Sequence, residues 1–220
     1  MTKYKWIIAA FAGVWIVGMF VVYPMLKENQ RLLVFQPADI NPQLVDKDMQ
    51  RTAKAHRIAD FKLLDQMGDT VTNANFKDKI YVADFFFTTC PSICPKMTAS
   101  LSKLSEIYQN DTDIMFLSHS VTPIKDRVSV LAAYAEKYNV DYDRWKLVTG
   151  SKKHIYELAR RSYFAVTTEG DGGVDDFIHT ENFILVDKER KIRGFYDGTS
   201  AQEMERLQED IIILRYEYQD

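Results

Sequence analysis

Cysteine is scarce in this chain, two among 220 residues, and that scarcity excludes more than any other feature of the composition. Structural zinc usually takes four protein ligands, and no second cysteine pair is present to supply them. Iron–sulfur clusters are short of thiolates on the same count. An excess of one charge is missing too: 28 Lys and Arg face 31 Asp and Glu, for a formal net charge of -3. The two signs are interspersed as on an ordinary solvated surface, and nothing points to a nucleic-acid partner. There is no internal repeat, no low-complexity tract, and no proline after Pro123.

One long stretch does lack charge altogether. From Trp6 to Leu26 the chain reads WIIAAFAGVWIVGMFVVYPML. At about 1.5 Å of rise per residue, a helix of that length crosses a hydrocarbon core of about 30 Å. Trp6 and Tyr23 stand near its ends, where amphipathic aromatics prefer the membrane interface. A cleaved signal peptide would carry a shorter apolar core and a small-x-small site, and no good site precedes Lys27. Residues 1–27 therefore read as an uncleaved single-pass anchor. Lys3 and Lys5 precede it while Lys27 and Arg31 follow, so the flanking charges nearly balance. The five-residue tail before the span, with the whole domain after it, favours an N-in anchor in an inner or plasma membrane and a domain facing the periplasm or an equivalent extracytoplasmic space.

Residues 28–58, poorly periodic and carrying Pro37 and Pro42, read as a tether, and residues 59–220 as the folded domain. FKLLDQMGDTVT (61–72) has the alternation of a hairpin with Gly68-Asp69 at the turn. KIYVADFFF (79–87) is a continuous apolar run, the signature of a strand buried on both faces. Residues 112–121 and 144–150 repeat the type, and 183–198 reads as two strands around a charged turn. Met97, Leu101, Leu104 and Tyr108 follow the helical period after Pro95. Val128, Leu131, Ala135 and Tyr138 do the same, and His154 to Arg161 is a shorter candidate. The last helix opens with Ser200 and Glu203 in a capping-box pattern, and Met204, Leu207, Ile211 and Leu214 line its apolar face. Strands alternating with helices predict an α/β fold with a largely parallel or mixed sheet covered on both faces.

Both cysteines lie in TTCPSICPKM, directly after the first buried strand. Pro95 disfavours helix at Cys94 and suits the first helical position, which places Cys94 at or near an N-cap. Free amides and the helix dipole there favour a thiolate. A structural disulfide is the bland alternative, but closing so short a loop contributes little entropy. The pair therefore reads as redox-active, able to form a disulfide, or as metal-binding. Two thiolates suit Cu(I), and a soft or borderline third ligand makes the site trigonal. His179, just before a predicted core strand and after the Gly- and Asp-rich stretch 167–176, is the candidate third ligand on an expected mobile loop. His56, His119 and His154 read as ordinary histidines, although His119 ends a core strand at the same sheet edge. Asp84 interrupts the buried run, where a carboxyl has a raised pKa unless paired. It is a candidate proton relay or a strand acid tied up by a lysine. Met97, by its helical spacing with Leu101, reads as core rather than as a sulfur donor.

From about Ala59 onward the chain resembles the Sco/SenC proteins, thioredoxin-fold copper chaperones for cytochrome c oxidase. The resemblance rests on GDTVTNANFKDKIYVADFFFTTCPSICPKM, on VTP (121–123) after a strand, and on the later HT before a strand. It implies a thioredoxin-like fold, membrane anchoring by one helix, and one copper per chain, Cu(I) or Cu(II), held by Cys90, Cys94 and His179. It also implies delivery to the oxidase copper-site subunit, and a thiol reductant as partner, because the cysteines must be reduced to bind. The chain departs from the family at Thr122 and Ile178, both positions where the family usually has Asp. A thiol–disulfide oxidoreductase remains the alternative. Such enzymes place a cis-proline opposite the cysteines, where His179 stands here. A peroxiredoxin pattern is absent around Cys90, and a tethered interaction domain with an incidental disulfide is the third reading.

Overall fold

The computed structural model describes residues 31–39, 56–166, 173 and 176–219, together with five positions between 11 and 18. The chain divides into two units, Leu33–Ile211 and, separately, residues up to Leu32 with those from Ile212. Most of the apolar run 6–26 lies outside the described residues. Phe11, Gly13, Trp15, Val17 and Gly18 are helical, and no helix of the described residues is long and apolar enough to cross a membrane.

The larger unit is a mixed α/β fold. A small hairpin, β1 (Lys62–Leu64) and β2 (Thr70–Thr72), is antiparallel. Gly68 takes φ +84 at its turn, a region that costs glycine little. The main sheet holds β3 (Ile80–Phe86), β4 (Ile114–Ser120), β5 (Trp145–Val148), β6 (Asn182–Val186) and β7 (Ile192–Asp197), in the order β5-β4-β3-β6-β7. β3, β4 and β5 are parallel, whereas β6 runs antiparallel to both β3 and β7. All seven residues of β3 and all seven of β4 are buried. A continuous apolar run is what two covered faces require, and these strands are the centre of the sheet.

Four helices follow the periods read from the sequence: α1 (Ile93–Ile107), α2 (Val128–Lys137), α3 (Lys152–Glu157) and α4 (Ala201–Glu217). On α1 the buried positions include Cys94, Met97, Leu101 and Leu104, so Met97 is core. The Thr98 and Tyr134 hydroxyls meet at 2.7 Å and tie α1 to α2. Tyr134 also lies 5.3 Å, centroid to centroid, from Phe86 on the sheet. The other face packs Tyr81, Ala83, Phe85, Leu117, Val148, Tyr163 and Phe164 into one apolar cluster. α3 runs directly into a π turn, Leu158–Ser162. At α4 the Glu203 amide donates to Ser200 Oγ at 3.4 Å, while the Glu203 carboxylate pairs with Arg206.

Parts of the stretch read as a tether lie on this unit. The Phe35 amide donates to the Ile192 carbonyl at 2.9 Å, and its ring packs edge-on against Phe195. Ile58 is buried, and its amide donates to the Arg190 carbonyl at 2.8 Å.

Candidate metal centre

The cysteine loop leaves the carboxyl end of the central strand, where open α/β sheets carry their sites. The Cys90 amide donates to the Phe87 carbonyl at 3.2 Å, turning the chain at once. The helix then begins earlier than Pro95 suggested. Ser92 is the N-cap, Ile93 the first helical residue, and Cys94 lies inside the first turn. The physical reason is that the first four amides of a helix have no intrahelical acceptor, so a proline without an amide is tolerated throughout that turn.

This geometry brings the sulfurs together. Both cysteines are buried free thiols, and the Cys94 amide donates to Cys90 Sγ at 3.4 Å. The two thiols differ in acidity. Burial disfavours ionisation of Cys90, but hydrogen bonds from Cys94 and Ser92 outweigh it and lower its pKa. Burial pushes the Cys94 thiol up to about 12, and the neighbouring Cys90 and Asp84 add to the rise, while a hydrogen bond from the Phe87 backbone opposes it. Cys90 is thus the more acidic of the two thiols, and Cys94 is held as thiol.

His179 is exposed on a short span anchored at both ends. At one end the Asp176 carboxylate takes two hydrogen bonds from the Arg160 guanidinium, both 2.7 Å. At the other, Thr180 Oγ1 donates to the Ala165 carbonyl at 2.8 Å. Between them the Phe177 ring meets Phe87 edge-on at 5.2 Å, which sets the span beside the cysteine loop. At Ile178, where the family's Asp would stand, an aliphatic side chain is buried in the core cluster. Among the described residues no three His, Cys, Asp or Glu side chains form a group able to hold a metal ion. The structure therefore joins the two thiols and leaves His179 outside a closed ligand set. Most of the stretch 167–176 lies outside the described residues.

Asp84 and His119 face opposite sides of the sheet. Asp84 pairs in register with Ser118, and burial pushes its carboxyl up to about 7, opposed by a Ser118 hydrogen bond. No lysine pairs with it among the described residues, and its Oδ1 has no hydrogen-bond partner there. His119 stacks on Phe85 at 4.7 Å and meets Tyr163 and Phe61 edge-on, inside the opposite apolar cluster. Its Nδ1 meets the Asp84 carbonyl oxygen at 3.2 Å, and burial lowers its pKa to about 4.

One residue at the site escaped the reading of the sequence. Asp126, wholly buried, accepts from Thr88 Oγ1 at 2.6 Å and from the Thr88 amide at 3.1 Å. Ser120 Oγ and Thr122 Oγ1 donate to the same carboxylate at 2.6 and 3.0 Å. Thr122, the other departure from the family pattern, thus acts as a donor. The available signal was an acid four residues after Thr122 in the short loop between β4 and α2.

A chain of this geometry has known relatives. The SCO1/SenC family model matches residues 49–212. The SCO1 protein homolog of Bacillus subtilis is 30% identical over 158 residues, covering 71% of this chain and 81% of that one. A solved structure of BsSco, described as a member of the Sco family of cytochrome c oxidase assembly proteins with a disulfide switch, has TM-score 0.62 and 30% identity. It covers 72% of this chain and 93% of that one. Bradyrhizobium japonicum ScoI with copper bound shares the fold at TM-score 0.56 and 22% identity, covering 74% of this chain and 99% of that one. With three quarters of its length matched and the thiol loop at the end of the central strand, this chain belongs to the SCO1/SenC family.

Proposed function

We propose that this protein binds one copper ion through Cys90, Cys94 and His179 and passes it to the copper-site subunit of cytochrome c oxidase during assembly. The observation that carries this reading is the meeting of two thiols at the start of α1, with Cys94 N–H donating to Cys90 Sγ at 3.4 Å. Soft thiolates select Cu(I) over hard cations, and the site offers neither a second thiol pair nor a carboxylate cluster among the described residues. The donor set fits copper. BsSco is described as belonging to a family of cytochrome c oxidase assembly proteins, and ScoI as holding copper, which supports the same role here. His179 completes a trigonal site by a shift of the span between Asp176 and Thr180. Residues 6–26 anchor the chain as a single pass, with the domain on the extracytoplasmic side. Thiols there oxidise readily, so a thiol reductant keeps the pair competent.

The unequal acidity of the two thiols favours a second reading, thiol–disulfide exchange on the oxidase subunit's own cysteines. A low-pKa sulfur attacks, and a buried high-pKa partner resolves the mixed disulfide. Anaerobic copper titration of the reduced protein against a competing chelator separates the two. One tight copper per chain, lost in Cys90→Ser and Cys94→Ser and weakened in His179→Ala, is the expected result. Absence of tight copper together with an easily reduced Cys90–Cys94 disulfide would leave the exchange reading in its place.

A further inference from the structure

The thiol loop has no long element of its own to hold it: six residues, 87–92, separate the end of β3 from the first residue of α1. Its restraint comes from a different part of the chain. β3 and β4 are parallel and in register, Phe86 beside Ser120, so both strands end at one level and their following loops lie side by side. The Val121 amide donates to the Phe86 carbonyl at 2.8 Å and continues the pairing beyond the strand. The second loop then folds tightly, with the Lys125 and Asp126 amides both donating to the Thr122 carbonyl at 2.9 Å. That fold turns the Asp126 carboxylate inward, between the loops. There it accepts two hydrogen bonds from Thr88 on the thiol side, and one each from Ser120 and Thr122 on its own side. A carboxylate taken out of water demands such donors, and those that meet it are held in place in return.

We infer that Asp126 is a positioning residue for the thiol site. It fixes Thr88, two residues before Cys90, and through it the loop conformation in which the two sulfurs meet. The inference rests on the proposed function for its copper readout, since Asp126 touches neither sulfur and acts on the metal only through the loop. Removing an outer partner of this kind typically weakens metal binding by about ten- to a hundred-fold. Releasing the loop also loosens the Cys94 N–H hydrogen bond to Cys90 Sγ, which supports the reduced form. The balance of dithiol plus glutathione disulfide against protein disulfide plus two glutathiones, a two-electron exchange, then shifts toward the protein disulfide.

The test uses the full-length chain in detergent, with Asp126→Asn, Thr88→Val and Thr88→Ser. Copper affinity is read by anaerobic chelator competition, and the disulfide equilibrium in glutathione buffers. Far-UV circular dichroism and urea midpoints report folding. Asp126→Asn and Thr88→Val are expected to lose about ten-fold or more in copper affinity. Both shift the glutathione equilibrium toward the disulfide, by about ten-fold or about 30 mV. Thr88→Ser, which keeps the hydroxyl, stays near wild type. If Asp126→Asn does not fold, the two Thr88 variants decide alone. Wild-type copper affinity and equilibrium in the folded Thr88→Val, or equal impairment of Thr88→Ser and Thr88→Val, overturns the inference. A urea midpoint that falls while both readouts hold shows a merely structural clamp and overturns it too. If the wild-type chain itself takes no tight copper, the proposed function fails, and the glutathione equilibria still decide the role of Asp126.

Discussion

Unfolding this protein between pH 4 and 6.5 should exchange one proton for another, and two substitutions expose the exchange. Asp84 titrates near 7 in the folded chain, against 3.8 for a free carboxyl, because burial disfavours its anion. His119 titrates near 4, against 6.5, because burial disfavours its cation. In this pH window the folded protein carries a proton on Asp84 and none on His119, and the unfolded chain carries the reverse. The two effects on stability have opposite signs. The raised carboxyl favours the fold below about pH 4, and that contribution is lost as pH rises toward 7. The depressed imidazole favours the fold above about 6.5, and that contribution is lost as pH falls toward 4. Each slope is about 1.4 kcal/mol per pH unit, one proton's worth, and in wild type they cancel. Asp84→Asn leaves the imidazole slope alone, so stability gains roughly 3 kcal/mol between pH 4.5 and 6.5 relative to wild type. His119→Phe fills the aromatic box and leaves the carboxyl slope, with a loss of similar size over the same range. Surface acids held below their ordinary range, Asp113, Asp141, Glu189 and Glu203, add a background common to all three proteins. The assay is therefore the difference in pH slope between variant and wild type, from urea unfolding at several pH values. Identical slopes in Asp84→Asn and wild type would refute the assignment of the proton to Asp84.

Two further outcomes follow from the same geometry. In Cys94→Ser the remaining Cys90 should alkylate with iodoacetamide along a pH profile whose midpoint lies below that of an unperturbed thiol. In Cys90→Ser, burial keeps Cys94 slow, with a rate still climbing at the alkaline end; equal midpoints would remove the acidity split. Leu101 is fully buried on the same face of α1 as Cys94. Leu101→Ala should cost about 2–5 kcal/mol in urea unfolding while the number of coppers bound per chain stays at the wild-type value.

What the sequence by itself determined was the order of elements and the place of the thiols. Runs such as IYVADFF and IMFLSHS permit burial on both faces and little else, and the cysteines after the first run with Pro95 behind them point to a strand-to-helix loop. Periodicity marked α1, α2 and α4 for the same reason, because a helix must turn one stripe inward. Position along the chain carried no information about pairing in space. Only the parallel register of β3 on β4 sets Ser118 beside Asp84 and His119 beside Phe85, and the pleat then sends the acid and the imidazole to opposite faces. The helix start moved ahead of Pro95 because the first turn makes no demand on its amides. Phe35 and Ile58 joined the domain through hydrogen bonds to the β6–β7 hairpin, more than 130 residues away, which no local pattern announces. Asp126 is the clearest case. Thirty-eight residues separate it from Thr88, and a carboxylate in a loop reads as solvated until two neighbouring strands end at one level and close their loops around it.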